Sequence, residues 1–326
     1  MEVYYKILKS TVVLFSLPNY STLDSAFTTD MVGQVNVLRN ATNLLFKGCI
    51  VASTAGKEQT IPSIEPAVEA FIDITDVRAR YIEAGQGEPT ILIHGVGFTN
   101  SAEVWLPAIR AGLAEKLHVY AIDNVGWGPA ARPLSEYSIA YFVDYIREIQ
   151  DGLGYSKTNI IGHSLGGWIA AILAYESPQR VRKLVLDNIA GMNATPPPTV
   201  AGFTAPSYEQ LVEGVEARFS GLNDIQDQTV YQWRNVNTPG SVEAFSQITK
   251  HLNDVPMRRR YHLGRRLNKI SVPTLVLWGR EANGLFPVSA GQEIAAMIPG
   301  SRLEIYDGDH FANQKFPDQF AKLVTE

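Results

Sequence analysis

The sequence predicts an α/β protein with a mainly parallel sheet covered by helices on both faces, and three observations predict it. Short apolar runs at 90–93, 119–122, 158–161, 183–186, 273–278 and 302–306 alternate with stretches at helical spacing. Runs such as Thr90-Ile91-Leu92-Ile93 lack a polar alternate, as expected of strands buried on both faces. Between Asn188 and Pro273 lie about 80 residues with no β pattern, too many for a bare loop, so that insertion should be helical.

Composition narrows the function. The chain has 326 residues, of which 45% are hydrophobic, enough for one large core or two modest ones. A net charge of −5 gives no basic field for a nucleic-acid partner. The run Met257-Arg258-Arg259-Arg260 with Arg265-Arg266 reads as a solvated helix face rather than an anion site. Cys49 is the single cysteine, so neither a disulfide framework nor a Cys/His zinc site is expected.

Residues 1–67 read as an N-terminal extension. The apolar run Thr11 to Phe15 falls far short of the ~20 residues of a membrane span. Glu2 and the shortness of that run argue against a signal peptide, and Lys47 against a lipoprotein-like reading of Cys49, so a cytoplasmic location is expected. Asp30 followed by Met31, Val35, Leu38, Thr42 and Leu45 predicts one helix, packed on the body or on a partner subunit of a homo-oligomer. Ala55 to Pro66 reads as a linker.

Beyond it, Ala70–Ile74 and Val77–Ala84 predict an opening hairpin. The strand Thr90–Ile93 ends in His94-Gly95-Val96-Gly97, a glycine-rich turn into the helix Ala102–Leu117. After the strand Val119–Ile122 come Asp123-Asn124-Val125-Gly126-Trp127-Gly128 and the helix Ile139–Leu153. Gly162-His163-Ser164-Leu165-Gly166 then has the G-x-S-x-G pattern between an apolar strand and a helix. Such a pentapeptide arises by chance roughly 0.1 times in a chain of this length, so its strand-turn-helix setting carries the weight.

From about Phe71 to Glu326 the chain resembles the α/β-hydrolase superfamily, in particular capped esterases, lipases and carbon–carbon-bond hydrolases. The resemblance rests on the elbow, the His94-Gly95 turn and the Asp123 to Gly128 loop, in the expected order. It implies an eight-stranded α/β-hydrolase sheet built from 68–191 and 267–326, with a helical cap, 192–266, inserted after the sixth strand. Pro196-Pro197-Pro198 would be the stiff start of the cap, and Phe203, Tyr208, Phe219, Tyr231, Trp233 and Phe245 its core or the pocket roof. Ser164 would be the nucleophile and His310, on the loop before the last helix, the base. Leu165 with Val96 or Gly97 would supply oxyanion N–H groups, and Asp123 would hold its loop. No cofactor or metal is implied.

The acid is the weak member. Relatives carry an aspartate three or four residues after the glycine closing the strand at 278, where Gly279-Arg280-Glu281-Ala282-Asn283 places Ala282 and Asn283. Glu281 is the first choice, its longer side chain offsetting the displacement. Asp187, after the strand that follows the nucleophile helix, and Asn283 are the alternatives. Strand alternation lets only one of Asp187 and Asn188 face His310, and Asn188 matches that slot better.

The expected function is hydrolysis of small to medium, partly apolar carboxylic esters or lactones through an acyl-enzyme. Carbon–carbon-bond hydrolysis of ring-cleavage products is the alternative, although His163 and Phe311 stand where those relatives tend to carry asparagine and tryptophan. A receptor-like protein with weak turnover is the third reading, and Ser164 disfavours enzymes with an aspartate nucleophile.

Overall fold

The computed structural model describes residues 4–8, 11–15, 50–52, 58–75, 77–196, 204–219 and 225–326. The chain divides into two units, Met1–Thr60 and Ile61–Glu326. In the first, β1 (Tyr4–Leu8) pairs antiparallel with β2 (Thr11–Phe15), and β3 (Ile50–Ala52) with β4 (Glu58–Thr60). The strand β4 corrects the linker reading of 55–66: the prolines there begin only at Pro62, so the preceding N–H groups are free to pair. The expected helix at 30–45 and Cys49 lie outside the described residues.

The second unit is built on one sheet of β5 (Val68–Ile74), β6 (Val77–Ala84), β7 (Glu88–Ile93), β8 (Leu117–Ile122), β9 (Thr158–His163), β10 (Val181–Asp187), β11 (Thr274–Gly279) and β12 (Arg302–Tyr306). Their spatial order is β12-β11-β10-β9-β7-β8-β6-β5. All neighbours are parallel except β5·β6 and β6·β8. The central strand β7 pairs on both edges, and Ile91, Leu92 and Ile93 are fully buried, as its unbroken apolar run requires.

Helices cover both faces. On one, the helical stretch α1 (102–116) packs with the C-terminal helix, where Trp105 meets Phe320 at 5.9 Å. On the other lie α2 (Ile139–Gly152) and α3 (Leu165–Glu176), with α8 (Val288–Met297). Ser138 caps α2 by accepting from the Tyr141 N–H at 3.1 Å. After β10, the sixth strand of this sheet, the insertion forms α4 (Tyr208–Phe219), α5 (Ile225–Asn237), α6 (Ser241–Leu252) and α7 (Val255–Arg260). The chain ends in α9 (Ala312–Lys315) and α10 (Pro317–Thr325).

Candidate active site

The elbow joins β9 to α3 at Ser164, which adopts φ 54°, ψ −114°. A non-glycine residue with positive φ is held there only if its surroundings enforce it. The enforcement is close backbone packing. A Cβ on Gly162 would lie 2.3 Å from the Gly166 carbonyl oxygen, and one on Gly166 2.1 Å from that of Ile93. Only glycine at both positions lets β9, α3 and β7 converge, and their convergence lifts Ser164 above the sheet edge.

The turn after β7 is clamped from behind. The Gly95 carbonyl accepts from Asn100 Nδ2 at 3.0 Å and from His94 Nδ1 at 2.8 Å. His94 Nε2 in turn accepts the Asn124 N–H at 3.1 Å, which fixes the tautomer, and burial pushes His94 down to about 4 and keeps it neutral. A trans peptide points its N–H opposite its carbonyl. With the Gly95 oxygen tied down toward Asn100, the Val96 N–H is turned the other way. Val96 and Leu165 both line the cavity that holds Ser164. Leu165 opens α3, so its N–H has no partner within the helix. Gly97 is not part of that wall; its carbonyl accepts from Trp127 Nε1 at 2.8 Å.

His310, on the loop between β12 and α9, lines the same cavity and stacks on Phe286 with ring centroids 3.9 Å apart. Burial, then His163, then Arg218 lower its pKa well below the usual imidazole value. Its Nδ1 is buried without a hydrogen-bond partner. None of the three candidate acids reaches it. Glu281 is exposed, and its N–H is bound to the Gly308 carbonyl at 2.9 Å, which turns the segment after β11 outward. Asn283 is exposed and donates back to the Glu281 carbonyl at 3.3 Å. Asp187 is fully buried, but its carboxylate bonds His163 Nδ1 at 2.9 Å, the Tyr306 hydroxyl at 2.9 Å and Asn188 Nδ2 at 3.0 Å.

The cavity has a volume of about 650 Å³. The insertion contributes Met192, Asn193, Leu252, Arg258 and His262 to its wall, and the segment after β11 contributes 284–287. The aromatics considered for a roof lie elsewhere: Phe219, Tyr231, Trp233 and Phe245 are buried off the cavity, and Tyr208 packs on Trp233 at 5.2 Å. Phe203 and Pro197-Pro198 fall outside the described residues.

Comparison with known proteins agrees with this architecture. A family described as the alpha/beta hydrolase fold matches residues 89–230. The chain is 28% identical over 284 residues to a 2-hydroxy-6-oxononadienedioate/2-hydroxy-6-oxononatrienedioate hydrolase of Klebsiella pneumoniae, covering 81% of this chain and 96% of the relative. Among solved structures, the meta-cleavage product hydrolase CumD of Pseudomonas fluorescens IP01 is 28% identical with a TM-score of 0.67, over 78% of this chain and 96% of that one. A serine hydrolase involved in carbazole degradation is 26% identical with a TM-score of 0.68, over 79% and 97%. The chain has the α/β-hydrolase fold.

In this α/β-hydrolase, Asp123 is tied to the scaffold: it accepts the Ala102 N–H at 2.7 Å and Arg80 Nη1 at 3.1 Å. Burial pushes its carboxyl up to about 6 although Arg80 pulls the other way. Arg258 departs from the solvated helix face expected of the run 257–260. It is only 4% exposed, donating to the carbonyls of Leu252 at 2.8 Å and Asn193 at 3.1 Å, with its guanidinium 5.4 Å from the Trp168 ring. A signal was present, since Asp254 and Pro256 start a short helix whose first turn, with apolar Met257, faces inward. Among the described residues no group of three or more metal-ligating side chains occurs, and no helix is long and apolar enough to cross a membrane.

Proposed function

We propose that this α/β-hydrolase is a serine hydrolase that attacks a ketone carbonyl and cleaves the adjoining carbon–carbon bond of a ring-cleavage product. Ser164 Oγ adds to the carbonyl carbon as His310 takes its proton, and the N–H groups of Val96 and Leu165 hold the oxyanion. The carbon–carbon bond then breaks, the leaving carbon takes the proton, and water releases the acyl group from Ser164. The helical insertion acts as a cap over the cavity.

The observation that supports the reading is the positive-φ elbow at Ser164, which shares one cavity with Val96, Leu165 and His310. The choice of bond rests on the relatives, whose printed names are those of dienedioate and meta-cleavage product hydrolases. It also rests on Arg258, a buried cavity cation with no carboxylate partner among the described residues, which suits an anionic substrate. Ester hydrolysis is the second reading, favoured by His163 and Phe311, which depart from the pattern of the carbon–carbon hydrolases.

A side-by-side assay separates the two. Wild type should turn over a 2-hydroxy-6-oxo-dienoate faster than p-nitrophenyl esters, and Ser164→Ala should abolish both. Ester turnover alone would move the assignment to esterase. Equal rates in Ser164→Ala would remove Ser164 from the chemistry, and binding without turnover would make the protein a receptor.

A further inference from the structure

We propose that His163 is a positioning residue that couples His310 to the buried carboxylate of Asp187, so that two imidazoles in series replace the usual single contact between histidine and acid. The inference deepens the serine-hydrolase reading above and depends on Ser164 and His310 acting as nucleophile and base.

His310 lacks a partner, and Asp187 has several. His310 Nδ1, the nitrogen that ordinarily faces the acid, is buried and unbonded. The carboxylates on its own loop are committed elsewhere: Asp309 accepts the Phe311 N–H at 2.9 Å and Lys315 Nζ at 2.8 Å, and Asp307 accepts Gln319 Nε2 at 2.9 Å. Asp187, meanwhile, has a complete cradle and no contact with His310. The sheet register decides its partner, because Asp187 and His163 stand opposite each other at the ends of the parallel strands β10 and β9.

The ring of His163 fills the space between. It is 2% exposed, lines the cavity, and its centroid lies 4.8 Å from that of His310 with 40° between the planes. No hydrogen bond closes between the rings here. With Nδ1–H given to Asp187, however, His163 Nε2 carries a lone pair. The complement His310 needs is an acceptor for Nδ1–H, and the relay requires the His310 ring to turn toward His163 while the Asp187 bond holds.

The proton accounting closes without an external reagent. Ser164 Oγ–H passes to His310 Nε2, and His310 Nδ1–H passes to His163 Nε2. The Nδ1 proton stays on His163, donated in a hydrogen bond to Asp187. The positive charge thereby comes to rest on the ring that touches the carboxylate, and the reverse shift returns the proton to the leaving group. Other charged or titratable groups facing the pair are Arg218 and Asp309 beside His310, and His94 and Tyr306 beside His163 and Asp187.

The test uses a fluorophosphonate that labels an activated serine, so its outcome is independent of the natural substrate. Asp187→Asn and His163→Gln should each slow labelling of Ser164 by roughly 10²-fold or more, and the double variant should be no slower than either, as expected of residues acting as a unit. Glu281→Gln should label at the wild-type rate. The complete labelled fraction should be unchanged, whereas a merely structural strut would lower that fraction and not the rate. Labelling within about threefold of wild type in His163→Gln, additive losses in the double variant, or no labelling of wild type would each overturn the proposal. A loss confined to Glu281→Gln would return the role to Glu281. If labelling behaves as expected while no dienoate is cleaved, the relay stands and only the substrate reading fails.

Discussion

Two buried arginines in this molecule live in opposite surroundings. Arg80, 1% exposed on β6, donates to Glu69 at 2.6 Å, to Glu103 at 2.6 Å and to Asp123 at 3.1 Å. Arg234 of α5 also binds Glu103, and together the two cations hold that carboxyl below its usual range although burial pushes it up. Arg258, on α7, has carbonyls and an indole face but no acid, and burial alone lowers its pKa. The first arrangement is complete, joining the sheet, the start of α1 and the insertion. The second leaves a cation with no carboxylate partner among the described residues, in a cavity that also holds the unbonded His310 Nδ1. The scaffold cation is neutralised by carboxylates, whereas Arg258 has no carboxylate partner among the described residues.

Three experiments sharpen or break that contrast. Arg80→Met should have the largest effect, leaving buried Asp123 without its cation and Glu103 with only Arg234, and destabilising the fold by about 3–5 kcal/mol in urea unfolding. A loss under about 1 kcal/mol would mean that the network is not structural. Arg258→Met should leave unfolding nearly unchanged but raise KM for an anionic dienoate about tenfold, with KM for a neutral ester unaltered; parallel losses on both would assign Arg258 to packing alone.

The smallest effect concerns pH. His310 accepts a proton only when neutral, and its pKa is lowered, so kcat/KM should hold at pH 6.5 and fall only below it. Arg218 contributes to that lowering after burial and His163. Arg218→Met should therefore move the acid limb to higher pH. A shift in the other direction would show that Arg218 acts on His310 by some route other than its charge.

Much of this was legible in the chain. The alternation of apolar runs and helical spacing places all eight strands of the sheet within a few residues, and Gly162 and Gly166 mark the elbow because no side chain fits there. His94-Gly95 marks the turn, but its bracing comes from Asn100, five residues on, and from Asn124, which lies across the fold. Glu281 was favoured from its distance along the chain to a strand end. The Gly308 carbonyl that turns it away belongs to the loop after the neighbouring strand.

The amino-acid order by itself therefore determined what is local: strand and helix periods, and the glycines that permit one strained serine. Which carboxylate meets which imidazole, and whether an arginine in a basic run faces water or a cavity, was decided only when strands paired and helices docked. Period and propensity act over a few residues, whereas hydrogen-bond partners are set by register and packing between segments far apart in the chain. Asp187 and His163 are 24 residues apart and become neighbours through one strand register.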